Sequence, residues 1–352
     1  MQLLNQAFVR MCAKKLARHQ RFAYDGHLEI LAGAVAHGGY FMFIQVPSQM
    51  ASRSRRMGRQ LWRAVSHRTE DTYRQLSRPV QEITNQKELR VVGLRRTGNH
   101  AIITWLEQQH TGVIRHLNNV KAGENPYRYK AENLNDHHPG EHPKMVAAYR
   151  RQAQGNLVKR DCLLYSYEDW GLDQVRSRRF ERYHDLYVGR SQHRFDVLIL
   201  RDPFNLLASR LKKNYMAVKA RHRDVVDLWL QYAKEFVGET HYLAHNRVCI
   251  SYNRWFCDRT YRKTLAERLN MAFSDAGLDT VRSLGGGSSF DAQNMNGQAT
   301  HMNVIHRWKH FIDDPHYRQM LANEEMWAYS EKIFGPLEGT EKLKSACLGN
   351  AG

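Results

Sequence analysis

Cysteine is scarce, with five in 352 residues, at Cys12, Cys162, Cys249, Cys257 and Cys347. An odd, scattered set does not suggest a disulfide framework, and no spacing among them fits a zinc site. Reduced thiols and a cytoplasmic setting are the simplest expectation. No Asn-X-Ser/Thr sequon occurs either, so nothing supports secretion. Acidic residues are under-represented: 35 Asp+Glu stand against 53 Lys+Arg, giving a net charge of +18 and a pI of about 9.8. Such a field favours anionic ligands, nucleic acid or an anionic membrane surface without choosing among them. Zinc-finger and RNP-type signatures are lacking, and the basic residues are spread rather than interleaved with aromatics. A basic nucleic-acid-binding protein is therefore kept only as an alternative, and the partners expected exclude nucleic acid. What is present in ordinary amount is apolar content, 42%, in a chain long enough for one large domain or two.

The N-terminal part is basic, with 13 Lys+Arg against 5 Asp+Glu over residues 1–85. Leu3, Leu4, Ala7, Phe8, Met11, Cys12 and Leu16 share one helical face, with Arg10, Lys14, Lys15 and Arg18 largely elsewhere. This is a basic amphipathic helix that docks on the body or touches a membrane peripherally. Leu28–Val46 is the most apolar window and is about long enough to span a bilayer. It contains Glu29, His37 and paired glycines, so a packed hairpin or buried helix is the expectation. Residues 1–85 are read as a mostly helical basic extension, 86–340 as the main domain, and 341–352 as a flexible tail.

The stretch Glu88–Gln108 carries the most information. The apolar run Leu89–Leu94 reads as a buried strand. A basic turn follows, Arg95-Arg96-Thr97-Gly98-Asn99-His100. Ala101, Ile102, Trp105 and Leu106 then recur at helical spacing. Strand, glycine turn and helix start make an anion site, because the first N–H groups of a helix have no internal partners. The segment lacks the Lys-Ser/Thr pair of a Walker A loop, so a P-loop kinase of a small acceptor is only an alternative. A site that binds phosphates with arginines and needs no metal fits better.

Asn118–His142 reads as a long excursion loop, its histidines His137, His138 and His142 solvated rather than metal-bound. Strands are expected around Cys162–Tyr165, at Phe195–Leu200 and at Arg247–Tyr252. Helices are expected over about 172–187, after Pro203, and over 225–236, 258–269, 304–308 and 317–334. Strand and helix alternate through 86–335, which predicts an α/β fold with a central parallel sheet flanked by helices. The strand Phe195–Leu200 ends in Arg201-Asp202-Pro203, and Ser209 follows Arg201 by eight residues, on the adjoining helix. Arginine and serine so placed can close on one phosphate from two sides.

Arg96-Thr97-Gly98-Asn99-His100, then Arg201-Asp202-Pro203 with Ser209, then Tyr252 and the Leu265–Met271 turn, stand in an order that resembles the sulfotransferases using 3′-phosphoadenosine 5′-phosphosulfate (PAPS). Gly285–Phe290 and Arg307-Trp308-Lys309 are similar to that family's C-terminal elements that close over the nucleotide. The resemblance covers about 88–335 and implies a P-loop NTPase-like sulfotransferase fold with PAPS as donor. Arg96 stands where many members have lysine, Ala101 where a tryptophan often stacks on adenine, and Asn253 where Glu usually follows the tyrosine.

What the resemblance implies is transfer of a sulfuryl group to a hydroxyl or amine. The acceptor would be polar or anionic: a saccharide, lipid or peptide. Arg96, with Arg95 as the alternative, would meet the sulfuryl and leaving-group oxygens, and Thr97, Gly98, Asn99 and His100 would add donors. Arg201 and Ser209 would hold the 3′-phosphate, Tyr252 would sit near the adenine, and Arg307 would close over the nucleotide. Glu168 is the first expected base and Asp169 the second, with His100 and Asp161 as further alternatives.

Overall fold

The computed structural model describes residues 48–77, 82–283 and 286–349. The amphipathic helix expected near the start and the apolar window Leu28–Val46 lie outside the described residues. The chain divides into two units, Met1–Ala64 and Val65–Gly352. Helix α1, Ser48–Ser77, is the described part of the first unit and the opening of the second. No described helix is long and apolar enough to cross a membrane.

The second unit is built on a five-stranded parallel sheet in the order β2-β3-β1-β4-β5. Its strands are β1 Ile83–Gly93, β2 Ile114–Leu117, β3 Arg160–Glu168, β4 Arg190–Leu200 and β5 Val248–Ser251. Side chains alternate between two cores, as the period of a strand requires. Leu89, Val91, Leu164, Val197, Ile199 and Ile250 face one side. Val92, Leu163, Tyr165, Tyr167, Leu198 and Leu200 face the other. Helix α2, Asn99–Gln108, lays Ile102, Ile103, Trp105 and Leu106 on the first face. On the second lie helices α8, Pro203–Lys212, and α9, Val225–Phe236. The α/β class read from the sequence is the one found.

Several expectations are corrected. The loop expected over 118–142 contains helix α3, Pro126–His137, and helix α4, Pro143–Ala153, follows it. Asn125 accepts hydrogen bonds from the N–H groups of Tyr127 and Arg128, and Pro126 sits at the first helical position. Asn-Pro is a cap followed by a preset φ as much as it is a turn signal. The helix expected over 172–187 is three short ones, α5 Leu172–Val175, α6 Arg178–Arg182 and α7 His184–Val188. Ser177 restarts the chain by capping Phe180. The 317–334 stretch is likewise two helices, α12 Pro315–Leu321 and α13 Glu324–Phe334, with Asn323 capping the second. Around 304–308 the helix is a 3₁₀ turn over Arg307–Phe311.

Helices α10 Tyr252–Cys257 and α11 Arg259–Arg268 follow β5. The tail expected to be flexible from 341 forms helix α14, Glu341–Leu348, because Leu343 and Cys347 are one turn apart and both reach the core. The start of the main domain, expected at 86, also lies further back. Strand β1 begins at Ile83, and the Val65–Ser77 part of α1 belongs to the same unit. There Asp71 is buried and meets Arg128 and Arg179, each at 2.8 Å.

The chain leaves β1 toward β2 and leaves β4 toward β5, although β1 and β4 are neighbours. The connections diverge between these two strands, and a crevice opens above their C-terminal ends. The loops after β1 and β4 are the two that carry the phosphate-type motifs.

Candidate active site

Strand β1 ends at Gly93, and the chain turns through Leu94–Thr97, where the Thr97 N–H donates to the Leu94 carbonyl at 3.2 Å. Arg96 has φ 70° and Gly98 φ 96°, so two left-handed residues flank Thr97 and aim the start of α2 at the crevice. Gly98 is the N-cap of α2 and offers no side chain to satisfy the first N–H groups. Those donors, with the positive helix end behind them, suit an anion. Glycine is required here twice over. The φ is unfavourable for other residues, and a Cβ would overlap the Tyr252 ring.

A cavity of about 360 Å³ lies above this loop. Five arginines line it: Arg95, Arg96, Arg201, Arg282 and Arg307. Arg96 donates to the Gly287 carbonyl at 2.8 Å. Arg201, at the end of β4, donates to Ser209 Oγ at 3.3 Å and to the Arg96 carbonyl at 3.2 Å, and also reaches the Val304 carbonyl. Arg307 donates to Ser288 Oγ at 2.8 Å and approaches Ser209 Oγ at 3.4 Å. Ser209 is thus a shared anchor behind Arg201 and Arg307 and is itself buried. Burial and the neighbouring Arg201 pull Arg96 below the ordinary guanidinium range. The same two causes bring Arg307 down to about 10. Guanidiniums that weaken one another in a buried crevice suit an anionic guest.

The other half of the crevice holds Glu168, at the end of β3. Its Oε1 accepts from Asn99 Nδ2 at 3.2 Å and lies 3.9 Å from His100 Nε2, while Arg95 Nε is 3.8 Å from Oε2. Burial lowers the His100 pKa against the opposing pull of Glu168. Asp169, one residue on, turns the opposite way with φ 62°. It is buried, receives Arg210 at 2.7 Å and the Arg95 N–H at 2.8 Å, and does not line the cavity. Asp161 is also outside the lining and instead accepts from the Val113 N–H at 2.6 Å.

Of the remaining residues singled out in the sequence, Arg95, Gly98, Asn99, His100, Tyr252 and Arg307 line the cavity with Arg96, Arg201 and Glu168. Thr97 and Ser209 do not: both are buried, Ser209 with its Oγ on Arg201 and Arg307, and Thr97 with no hydrogen-bond partner for its Oγ1. Asn253 ties the segments after β4 and β5 together through Asp202, at 3.2 and 2.9 Å. Trp105 is wholly buried, donates to the Ser274 carbonyl and does not line the cavity.

Sequence reasoning missed Trp255, Phe256, Val281 and Met302, which give the cavity an apolar wall beside Tyr252. Tyr252 and Trp255 stack with ring centroids 5.9 Å apart. The only sequence signal was the i, i+3, i+4 aromatic spacing of Tyr252, Trp255 and Phe256. Asn118, Asn119 and Arg282 also line the cavity and were not singled out.

No family model matches this chain, and no curated protein matches it in sequence. Among solved structures it is similar to that of a mouse sulfotransferase complexed with PAP, at a TM-score of 0.38 and 7% identity, over 74% of this chain and 88% of that one. At that distance the likeness names neither an activity nor a ligand for this protein.

Proposed function

We propose that the protein transfers a sulfuryl group from PAPS to a hydroxyl or amine of a polar or anionic acceptor. The observation that carries this reading is the meeting of Arg201 and Arg307 on Ser209, with Arg201 also bonded to the Arg96 carbonyl, beside a helix start that no side chain caps. Two phosphate clamps about one apolar wall fit a nucleotide with phosphates at both the 3′ and 5′ positions. One buried polar atom of the lining without a partner, Arg307 Nε, also suits a guest that brings acceptor oxygens.

When bound, that donor supplies an activated sulfur–oxygen bond whose cleavage puts charge on a phosphate. The chain's task is positioning and charge stabilisation. In this reading Arg96 and the first N–H groups of α2 hold the 5′ side. Arg201, Ser209 and Arg307 hold the 3′-phosphate, and Tyr252, Trp255 and Phe256 flank the base. Glu168 takes the proton from the acceptor as its oxygen or nitrogen bonds to sulfur. His100, 3.9 Å from the same carboxylate and with its pKa lowered by burial, is the second residue able to take it.

Thermal shifts with adenosine 3′,5′-bisphosphate, ATP with magnesium, and a DNA oligomer test the reading. The bisphosphate should raise the melting temperature most, and without metal. Absence of any bisphosphate shift would remove the proposal.

A further inference from the structure

Strand β1 divides the crevice. On the side of β4 and β5 lie Arg201 and Arg307, with the buried Ser209 bonded to both. On the side of β3 and β2 lie Glu168, from the end of β3, and Asn118 and Asn119, from the end of β2. This second half has Arg95 in its lining and two lysines, Lys219 and Lys130, bonded to its Asn119 and Asn118; of the three only Arg95 has an earlier role, as the alternative to Arg96.

Arg95 reaches it from the loop after β1, with its guanidinium 5.7 Å from the Tyr215 ring centroid. Its Nε stands 3.8 Å from Glu168 and 3.7 Å from Asp169. Asp169 is already occupied by Arg210, and Glu168 is shared with Asn99 and His100. Lys219 comes from the loop after α8, anchored where its own N–H donates to the Asp169 carbonyl at 2.8 Å. Its ammonium donates to Asn119 Oδ1 at 2.6 Å, a neutral partner. Burial and the Arg95 guanidinium pull its pKa down to about 8. Lys130, on α3, is half-buried and donates to the Asn118 carbonyl at 3.3 Å, again a neutral partner. Among the described residues neither lysine sits in an ion pair. Three cations so placed leave the half-crevice with more positive charge than Glu168 offsets. Cations held part-buried on amide partners cost free energy unless an anion completes them.

We infer that the β2–β3 half of the crevice recognises an anionic group on the acceptor: a carboxylate, sulfate or phosphate next to the hydroxyl or amine that is sulfated. Arg95 and Lys219 make the contact, and Lys130 positions the Asn118 side of the subsite. The acceptor role rests on the transfer reading above; the anion subsite itself does not. The geometry joins the two roles, because an anion held by Arg95 leaves a neighbouring nucleophile within reach of Glu168.

The test uses the full chain and inorganic sulfate as probe, compared with sodium chloride at equal ionic strength. Sulfate binding is titrated with and without saturating adenosine 3′,5′-bisphosphate, in the wild type, in Arg95→Gln/Lys219→Met, in Lys219→Met alone, and in Arg254→Gln/Arg268→Gln. The last variant removes two charges from a different, exposed patch. With the bisphosphate bound, wild type should still take up sulfate. Arg95→Gln/Lys219→Met should lose about tenfold in sulfate affinity or more, as expected for lost charge-assisted bonds, and Lys219→Met alone should lose part of it while keeping its bisphosphate shift. The Arg254/Arg268 variant should match wild type. No sulfate uptake by wild type, or equal losses in both double variants, would overturn the subsite. Absence of the bisphosphate shift would instead sink the donor reading, and the sulfate titration without nucleotide would still decide the subsite.

Discussion

The Tyr252 ring lies against Gly98 so closely that a Cβ there would overlap it, and the same ring has the Arg201 guanidinium 5.0 Å from its centroid. One side chain from the end of β5 therefore sets the spacing between the loop after β1 and the clamp after β4. Gly98→Ala should both strain the backbone, by about 1–2 kcal/mol for a left-handed residue, and push Tyr252 out of place. We expect a lower urea midpoint and loss of the bisphosphate thermal shift. Tyr252→Ala in the same chain should relieve the overlap but not the backbone strain.

Arg201 and Glu168 should separate binding from transfer. Arg201→Ala removes a two-pronged contact anchored on Ser209 and should weaken bisphosphate binding by about 3 kcal/mol, roughly a hundredfold. Glu168→Gln keeps the shape and the Asn99 contact and should leave nucleotide affinity within about threefold. Calorimetric titration measures both. Unchanged affinity in Arg201→Ala would remove the 3′-phosphate assignment.

Asp169 should behave as a structural residue. Its partner Arg210 is fully buried, and removing one member of a buried pair typically costs about 3–5 kcal/mol. Asp169→Asn is thus expected to lower unfolding free energy by that order in urea melts. If its stability is unchanged and only turnover falls, the role of Asp169 is chemical.

Much of this fold was legible because it rests on simple patterns. The apolar run Val197–Leu200, preceded by Phe195, reads as a buried strand, and strand and helix geometry bring the arginine at its end together with a serine eight residues on. Other parts were hidden for physical reasons. Strand β2 is four residues, Ile-Arg-His-Leu, too short and too polar to show a period. Glu168 and Asp169 are neighbours of the same chemistry, and only the turn at Asp169, with Arg210 to receive it, separates a cavity carboxylate from a buried one. The apolar wall joins residues about 50 positions apart, from Trp255 to Met302, which a single sequence does not bring together.

The Glu88–His184 pair beneath the sheet gives a pH dependence with a definite sign. Both side chains are buried and 2.7 Å apart, with Arg194 at 3.5 Å and Ser191 and Tyr165 also bonded to Glu88. Although burial opposes it, His184 and Arg194 hold Glu88 down to about 2, from an ordinary 4.5. A depressed carboxylate contributes stability that is full above pH 4.5 and is lost as pH falls toward 2. The shift corresponds to roughly 3 kcal/mol. His184 is raised by Glu88 against burial, so its share is full below pH 6.5 and is lost as pH rises through its folded value. Urea unfolding from pH 2 to 6 should show the acid limb shrink in Glu88→Gln, alongside lower stability at pH 6. An unchanged acid limb would show that other carboxylates govern it.

Calorimetric titration of metal-free protein with adenosine 3′,5′-bisphosphate and with adenosine 5′-monophosphate bears most directly on the two-clamp site. The two nucleotides differ only in the phosphate assigned to Arg201, Ser209 and Arg307. The account predicts binding without magnesium and at least about a tenfold preference for the bisphosphate, abolished in Arg201→Ala. Equal affinity for the two nucleotides, or a preference that survives Arg201→Ala, would contradict it.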